Sequence, residues 1–298
     1  MRRYLAIADI HGNIKAVDRL LREVKDNSEY KSFESVLIAG DLPLTTPPRL
    51  IAKYVLKHRN MDREKYSSWV YDPDEKRSRF LKYQIKTTDM ILGRLKRLNS
   101  PIFYISGNVD CLEVADFIKS EHPDVFLVDD AVLTTANGIQ IVGIPGALTQ
   151  FSRPICDRET NEEAMDEKIE IIKEDIDPQV PTIMLCHEPP LFKIEGGKRD
   201  GFSGGTKATT ELIRYISPLL VVCGHYHEHL GEYRIGGVPV INPGCLATYR
   251  YAIISLNDKD KDCATEVVLK ELKRPRLDFI ASIYNYRGYF GEQIKMME

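Results

Sequence analysis

The stretch RYLAIADIHGN, Arg3–Asn13, decides the fold. Its apolar run reads as a buried strand that stops at Asp9. Asn13 then caps a helix, because Ala16, Val17, Leu20, Leu21 and Val24 follow at helical spacing. A strand, a short polar loop and a helix make a βα unit, which predicts a parallel core. Two further runs repeat the pattern. SVLIAGD ends on Gly40-Asp41, and SPIFYISGN ends on Gly107-Asn108.

Later in the chain the pattern changes. AVLTTA and IQIVGIPG are separated by Asn137-Gly138, a hairpin turn. PTIMLCHEPP, PLLVVCGHYH, EYRIGGVPVINPG, YAIISLN and ATEVVLKEL read as further strands, with helices over 161–175 and 206–216. Early βα units and late hairpins predict mixed sheets with helices outside.

Composition sets bounds. The chain has 298 residues, 43% hydrophobic and 29% charged, with a formal net charge of −3. That balance fits a globular domain and gives no global field toward nucleic acid or anionic membrane. The longest apolar runs are strand-sized, so no membrane span is expected. The start, MRRYLAIADIHG, lacks the form of a secretory signal. The six cysteines, Cys111, Cys156, Cys186, Cys223, Cys245 and Cys263, show no CxxC spacing. They read as reduced, mostly buried thiols, and the expected location is cytoplasmic.

Two segments carry opposite charge. Residues 53–97 hold 13 Lys/Arg against 6 Asp/Glu, and residues 157–177 hold 3 against 10. The basic segment also holds Tyr54, Tyr66, Trp69, Tyr71, Phe80 and Tyr83. We expect a domain over 1–270 with a basic helical insertion at 46–98, and a C-terminal extension over 271–298. Three readings of the insertion stand open. It is a solvated helical pair with ordinary contacts, such as to the acidic helix near 161–175. It is a lid that selects a small substrate. Or it is a charged, aromatic track for single-stranded nucleic acid, the least favoured of the three.

Polar residues of ligand type fall just beyond the carboxyl ends of five strands. They are Asp9 and His11, Asp41, Asn108, His187, and His225 with His227. Ligands bind at that edge in α/β sheets because the loops converge there. Each signal alone is weak. Together they take four of the chain's seven histidines, an order chance does not readily produce. Carboxylate, imidazole and amide oxygen suit divalent metals of borderline hardness. The glycines before Asp41, Asn108 and His225 are expected to let the backbone turn and bring each ligand inward.

DIHGN, GD, GNVD, CHEPP and GHYH, with GIPG, INPGC and GGTKATTELIRYISPLLVVCGHYHEHLG, resemble the calcineurin-like metallophosphoesterases in type and order. The resemblance spans about residues 1–256 outside the insertion. It implies an α/β fold of two facing mixed β-sheets flanked by helices, a four-layer sandwich. It implies that Asp9, His11 and His227 hold one metal, that Asn108, His187 and His225 hold the other, and that Asp41 bridges them. Asp41, Asn108 and His225 would be the catalytic set. Manganese is the leading candidate metal, with Fe, Zn, Co and Ni as alternatives. The implied reaction is attack of a metal-bridging hydroxide on a phosphate ester, most simply a phosphodiester or nucleotide. A nuclease of the same chemistry and a non-catalytic scaffold are the alternatives. Complete ligand types argue for the enzyme.

Three departures stand out. Many relatives carry His after Gly-Asn, to protonate the leaving group, where this chain has Val109. Asp110 is expected to orient a ligand from behind. GDLPLTTPP is Pro-rich with no further acid, and Cys245 stands where Ser is usual, either in a tight turn under the site or in contact with substrate.

Overall fold

The computed structural model describes residues 1–30, 32–43, 75–149, 156–193, 203–256 and 265–275. The first half alternates β1 (Arg2–Ile7), α1 (Ile14–Asp26), β2 (Ser35–Ala39), α2 (Glu75–Leu95), β3 (Ile102–Ile105), α3 (Leu112–Glu121) and β4 (Val125–Leu127). There follow β5 (Ala131–Thr134), β6 (Gln140–Ile144), the short β7 (Ala147–Leu148) and β8 (Glu159–Thr160), α4 (Glu162–Glu174) and β9 (Thr182–Cys186). The rest comprises β10 (Phe192–Lys193), β11 (Ser203–Gly204), α5 (Lys207–Ile216), β12 (Leu220–Cys223), β13 (Gly231–Ile235), β14 (Val238–Asn242), β15 (Arg250–Leu256) and β16 (Thr265–Glu271).

The strands form two six-stranded mixed sheets, ordered β16-β15-β1-β2-β3-β4 and β13-β14-β12-β9-β6-β5. In the first, β1 to β4 run parallel, β15 pairs antiparallel with β1, and β16 pairs antiparallel with β15. In the second, β14, β12, β9 and β6 run parallel between antiparallel edges β13 and β5. The sheets face each other through Tyr4, Ala6, Leu37, Phe103 and Ile105 on one side and Ile141, Ile183, Leu185 and Val222 on the other. Helices α1, α2 and α3 cover the outer face of the first sheet, and α4 and α5 that of the second. Both faces of the central strands are therefore buried, which is why they read as continuous apolar runs rather than as alternation.

The predicted caps are in place. Asn13 Oδ1 accepts from Ala16 N–H at 3.2 Å, and Ala16, Val17, Leu20, Leu21 and Val24 are the buried face of α1. Asn161 and Thr206 cap α4 and α5 in the same way.

The segment expected as an insertion, 46–98, divides in two. Residues 46–74 lie outside the described residues. Residues 75–95 are α2, the crossover from β2 to β3, packed between α1 and α3. Ile91, Leu92 and Leu95 are fully buried, and Arg94 Nε binds Asp18 Oδ1 at 2.9 Å. This half is a layer of the fold. It also covers the sheet opposite the one that carries α4, so the expected contact with the acidic helix does not form there. Of the C-terminal extension, residues 276–298 lie outside the described residues, as does Cys263. No helix among the described residues is long and apolar enough to cross a membrane.

Gly143, in β6, packs against the link from β4 to β5 and against β3: a Cβ there would stand 1.8 Å from the Val128 carbonyl oxygen and 2.8 Å from Ile105 Cγ2. Backbone cannot yield as a flexible side chain does. Gly143→Ala is expected to cost about 3 kcal/mol. Urea unfolding of the variant checks this, and an unchanged midpoint would contradict it.

Candidate metal centre

The strands β1, β2, β3, β9 and β12 all end at one edge of the sandwich, and the seven candidate residues sit in the loops just past them. Four adopt positive φ: Asp9 at 52°, His11 at 44°, Asp41 at 52° and His225 at 65°. Only eight non-glycine residues among the described ones do so. Left-handed backbone in a side chain of this kind costs energy and persists where the surroundings enforce it, typically at functional sites.

The glycines work differently from expectation at two of three places. Gly40 does turn with positive φ, 87°. Gly107 and Gly224 do not; they are empty space. A Cβ on Gly107 would fall 2.0 Å from Asp41 Oδ1, and one on Gly224 would fall 2.7 Å from the Ala39 carbonyl and 2.9 Å from Asp9 Oδ2.

The side chains gather in two groups that share Asp41. His227 Nε2 lies 3.1 Å from Asp9 Oδ1 and 3.2 Å from His11 Nε2, and His11 Nε2 lies 3.7 Å from Asp41 Oδ2. On the other side, His187 Nε2 lies 3.5 Å from Asp41 Oδ1 and 3.2 Å from Asn108 Oδ1. The His225 ring meets the His187 ring edge-on, centroids 5.2 Å apart. One group draws on both sheets through Asp9, His11 and His227, the other through Asn108, His187 and His225. Asp9, His11, Asp41, Asn108 and His187 are buried, while His225 and His227 are half-buried and open the site to solvent.

These contacts fit a metal cage. Two ring nitrogens facing each other at 3.2 Å have one proton to share at best. Two nitrogens bound about 2.1 Å from one ion at ordinary angles would stand about 3.0–3.4 Å apart. His187 Nδ1 donates to the Ala39 carbonyl at 2.8 Å, which turns Nε2 into the cage. Without an ion, the imidazoles and carboxylates of the cage set one another's charge. Burial works against charge on His187, but the Asp41 carboxylate and its hydrogen bond outweigh it and raise the imidazole to about 10. Burial raises and the histidines lower Asp41, and the histidines win, so its carboxyl falls well below the usual range. Burial and the neighbouring His187 cation push His225 down to about 3. A divalent cation would take the place of the proton that Asp41 draws to His187.

Backbone and outer side chains hold the cage. His225 N–H donates to Asp9 Oδ2 at 3.1 Å, and Val109 N–H donates to Asp41 Oδ1 at 3.1 Å. Val109 thus serves the site through its amide. Asp110 Oδ2 accepts from the amides of Gly107 at 2.7 Å and Asp41 at 3.1 Å and from the Tyr104 hydroxyl. It fixes the spacing of two loops. Asn242 Nδ2 donates to the Tyr226 carbonyl at 3.1 Å, bracing the GHYH loop. Cys245 is buried in the turn beneath the site and donates to the Asp9 carbonyl at 3.1 Å, with Sγ close to the His11 and His227 ring nitrogens.

Sequence reasoning missed three residues here. Gln84 of α2 donates from Nε2 to the Val109 carbonyl at 2.8 Å and accepts Cys111 N–H at 3.0 Å. Glu188 is buried with Oε2 3.6 Å from His225 Nε2, and burial raises its carboxyl to about 7. Glu159 accepts from Asn108 Nδ2 at 3.1 Å. Only Glu188, beside His187 in CHEPP, carried a signal.

Two facing mixed sheets with Asp, Asn and His at converging strand ends define a metallophosphoesterase fold. Residues 1–266 match the metallophosphoesterase family of the calcineurin superfamily, and the chain belongs to that family. A solved crystal structure superposes with a TM-score of 0.66 at 15% identity, covering 91% of this chain and 99% of its own. The crystal structure of TT1561 of Thermus thermophilus does so with a TM-score of 0.57 at 15% identity, again over 91% and 99%. At that identity the likeness shows the shared fold. No curated protein matches the sequence.

Proposed function

We propose that the protein hydrolyses phosphate esters, phosphodiesters or nucleotides foremost, with two divalent ions held by Asp9, His11, His227 and by Asn108, His187, His225, and shared by Asp41. The observation that carries this reading is Asp41, whose two oxygens point to opposite halves of the cage. Ions bound there would supply Lewis-acid charge for the phosphoryl oxygens and would acidify a water for attack near neutral pH. The chain's own residues do the rest. The amides of His225 and Val109 hold the two carboxylates anionic and aimed inward. The half-buried His225 and His227 leave the entry through which an ester reaches the cage. Manganese remains the leading candidate ion. Among the described residues Cys111, Cys156, Cys186, Cys223 and Cys245 form no disulfide, which supports a reducing, cytoplasmic setting.

The direct test strips the protein of metal, reloads it with Mn, and assays bis-p-nitrophenyl and p-nitrophenyl phosphate. Hydrolysis is expected only after reloading. Equal turnover by the stripped protein would sink the reading.

Val109 shapes the substrate range. Its side chain offers no proton, so esters with good leaving groups should outpace alkyl monoesters. General acid catalysis contributes about 10²–10⁴-fold. Val109→His is therefore expected to raise turnover of an alkyl monoester at least roughly tenfold and to change p-nitrophenyl substrates little. No gain on the poor leaving group would contradict the proton-donor explanation.

A further inference from the structure

We infer that Glu159 is the positioning residue that decides which end of the Asn108 amide faces the metal centre. An amide side chain has an acceptor end and a donor end of nearly the same shape. Only the oxygen can bind a cation. If the group turns over, two N–H bonds point at the ion instead.

Nothing in the GNVD loop itself makes that choice. The deciding contact comes from the strap formed by β7 and β8. Glu159 Oε1 accepts from Asn108 Nδ2 at 3.1 Å, and Cys156 Sγ stands 4.0 Å from the same nitrogen. The amide nitrogen is thereby held on the strap side, and Oδ1 is left 3.2 Å from His187 Nε2, inside the cage. Glu159 Oε2 is steadied by the Cys156 amide at 3.4 Å.

The strap is pinned to the same loop by its neighbour. Arg158 Nε donates to the Asp110 carbonyl at 3.1 Å, and Arg158 Nη1 pairs with Asp129 Oδ2 at 3.1 Å. Asp129 in turn accepts from the Ser106 amide and hydroxyl, each at 2.7 Å. Gly146 N–H donates to the Ser106 carbonyl at 3.0 Å, and Ala147 N–H to the Arg158 carbonyl at 3.1 Å. Arg158 locates the strap and Glu159 reads the amide. A sulfur acceptor at 4.0 Å is too weak to hold the amide alone.

The inference rests on the two-metal reading, and a titration separates the two. Metal-free wild type, Glu159→Ala, Glu159→Gln, Asn108→Ala and the double Glu159→Ala/Asn108→Ala are titrated with Mn²⁺ alone, and binding is followed by calorimetry. Wild type is expected to take two ions. Glu159→Ala should weaken one of them by about 10–100-fold and leave the other as it was. Glu159→Gln should bind nearly as wild type does, because its carbonyl accepts the same hydrogen bond. The double variant should be no worse than Asn108→Ala, since the two residues act as a unit. Wild-type uptake of two ions with Glu159→Ala unchanged, or with additive losses in the double variant, would overturn the role of Glu159 alone. Equal weakening of both ions, with a lower thermal midpoint of the metal-free variant, would overturn it too, since that is loss of fold. Wild type binding fewer than two ions would overturn the two-metal reading and this inference with it.

Discussion

Asp41→Asn is expected to lower kcat/KM on bis-p-nitrophenyl phosphate by about 10³-fold, the upper range for loss of one electrostatic contact in an active site. The reason is in the geometry. Asp41 Oδ1 faces His187 and Oδ2 faces His11, 3.5 and 3.7 Å away. An amide keeps one oxygen and replaces the other with a donor, so one half of the cage loses a ligand and both lose half of a shared negative charge. The Val109 amide, which now donates to Oδ1, can still bond an amide oxygen. The variant should therefore fold. Metal analysis should show one ion or none, against two expected in the parent. Full activity with two ions retained would contradict the assignment of Asp41.

The second large effect is on stability. Removing metal from the loaded protein is expected to lower its thermal midpoint by roughly 10 °C. The cage joins the sheets, with Asp9, His11, Asp41 and Asn108 from one and His187, His225 and His227 from the other. An ion that binds only the folded chain stabilises it by about 4 kcal/mol at a free concentration of 1,000 Kd. For a chain this long each kcal/mol moves the midpoint by about 2–4 °C. The metal-free site adds to the contrast, because it must keep carboxylates and imidazolium groups together with little water. Differential scanning fluorimetry with and without chelator measures the shift. Midpoints that agree within a degree would show that no ion braces the sheets.

Much of the candidate site is legible in the sequence. Asp9, His11, Asp41, Asn108, His187, His225 and His227 each follow an apolar run, and a parallel sheet brings such positions to one edge. Helix α2 was less legible. Its buried face runs through Gln84, Thr87, Thr88, Ile91, Leu92 and Leu95. Three polar residues in that line blur the apolar period, while lysines and arginines dominate the composition of the segment. The glycines read as turns in the sequence because φ is the usual reason for glycine. At Gly107 and Gly224 the reason is a neighbour from another strand, which no local pattern records.

The sequence by itself determined the order of βα units and hairpins, the two-sheet architecture, and the types of residue gathered at the strand ends. These follow from local periodicity and from the direction in which parallel strands run. Only the tertiary structure decided which atoms meet: that Asp41 divides its oxygens between two groups, that Val109 contributes an amide, that Gln84 clamps the loop beside Asn108, and that Glu159 turns the Asn108 amide. The last three of these pairs, Val109 with Asp41, Gln84 with Val109 and Glu159 with Asn108, are 25 to 68 residues apart in the chain. A hydrogen bond depends on ångström separations and donor direction. The packing of one layer on the next sets both, and the spacing of residues along the chain sets neither.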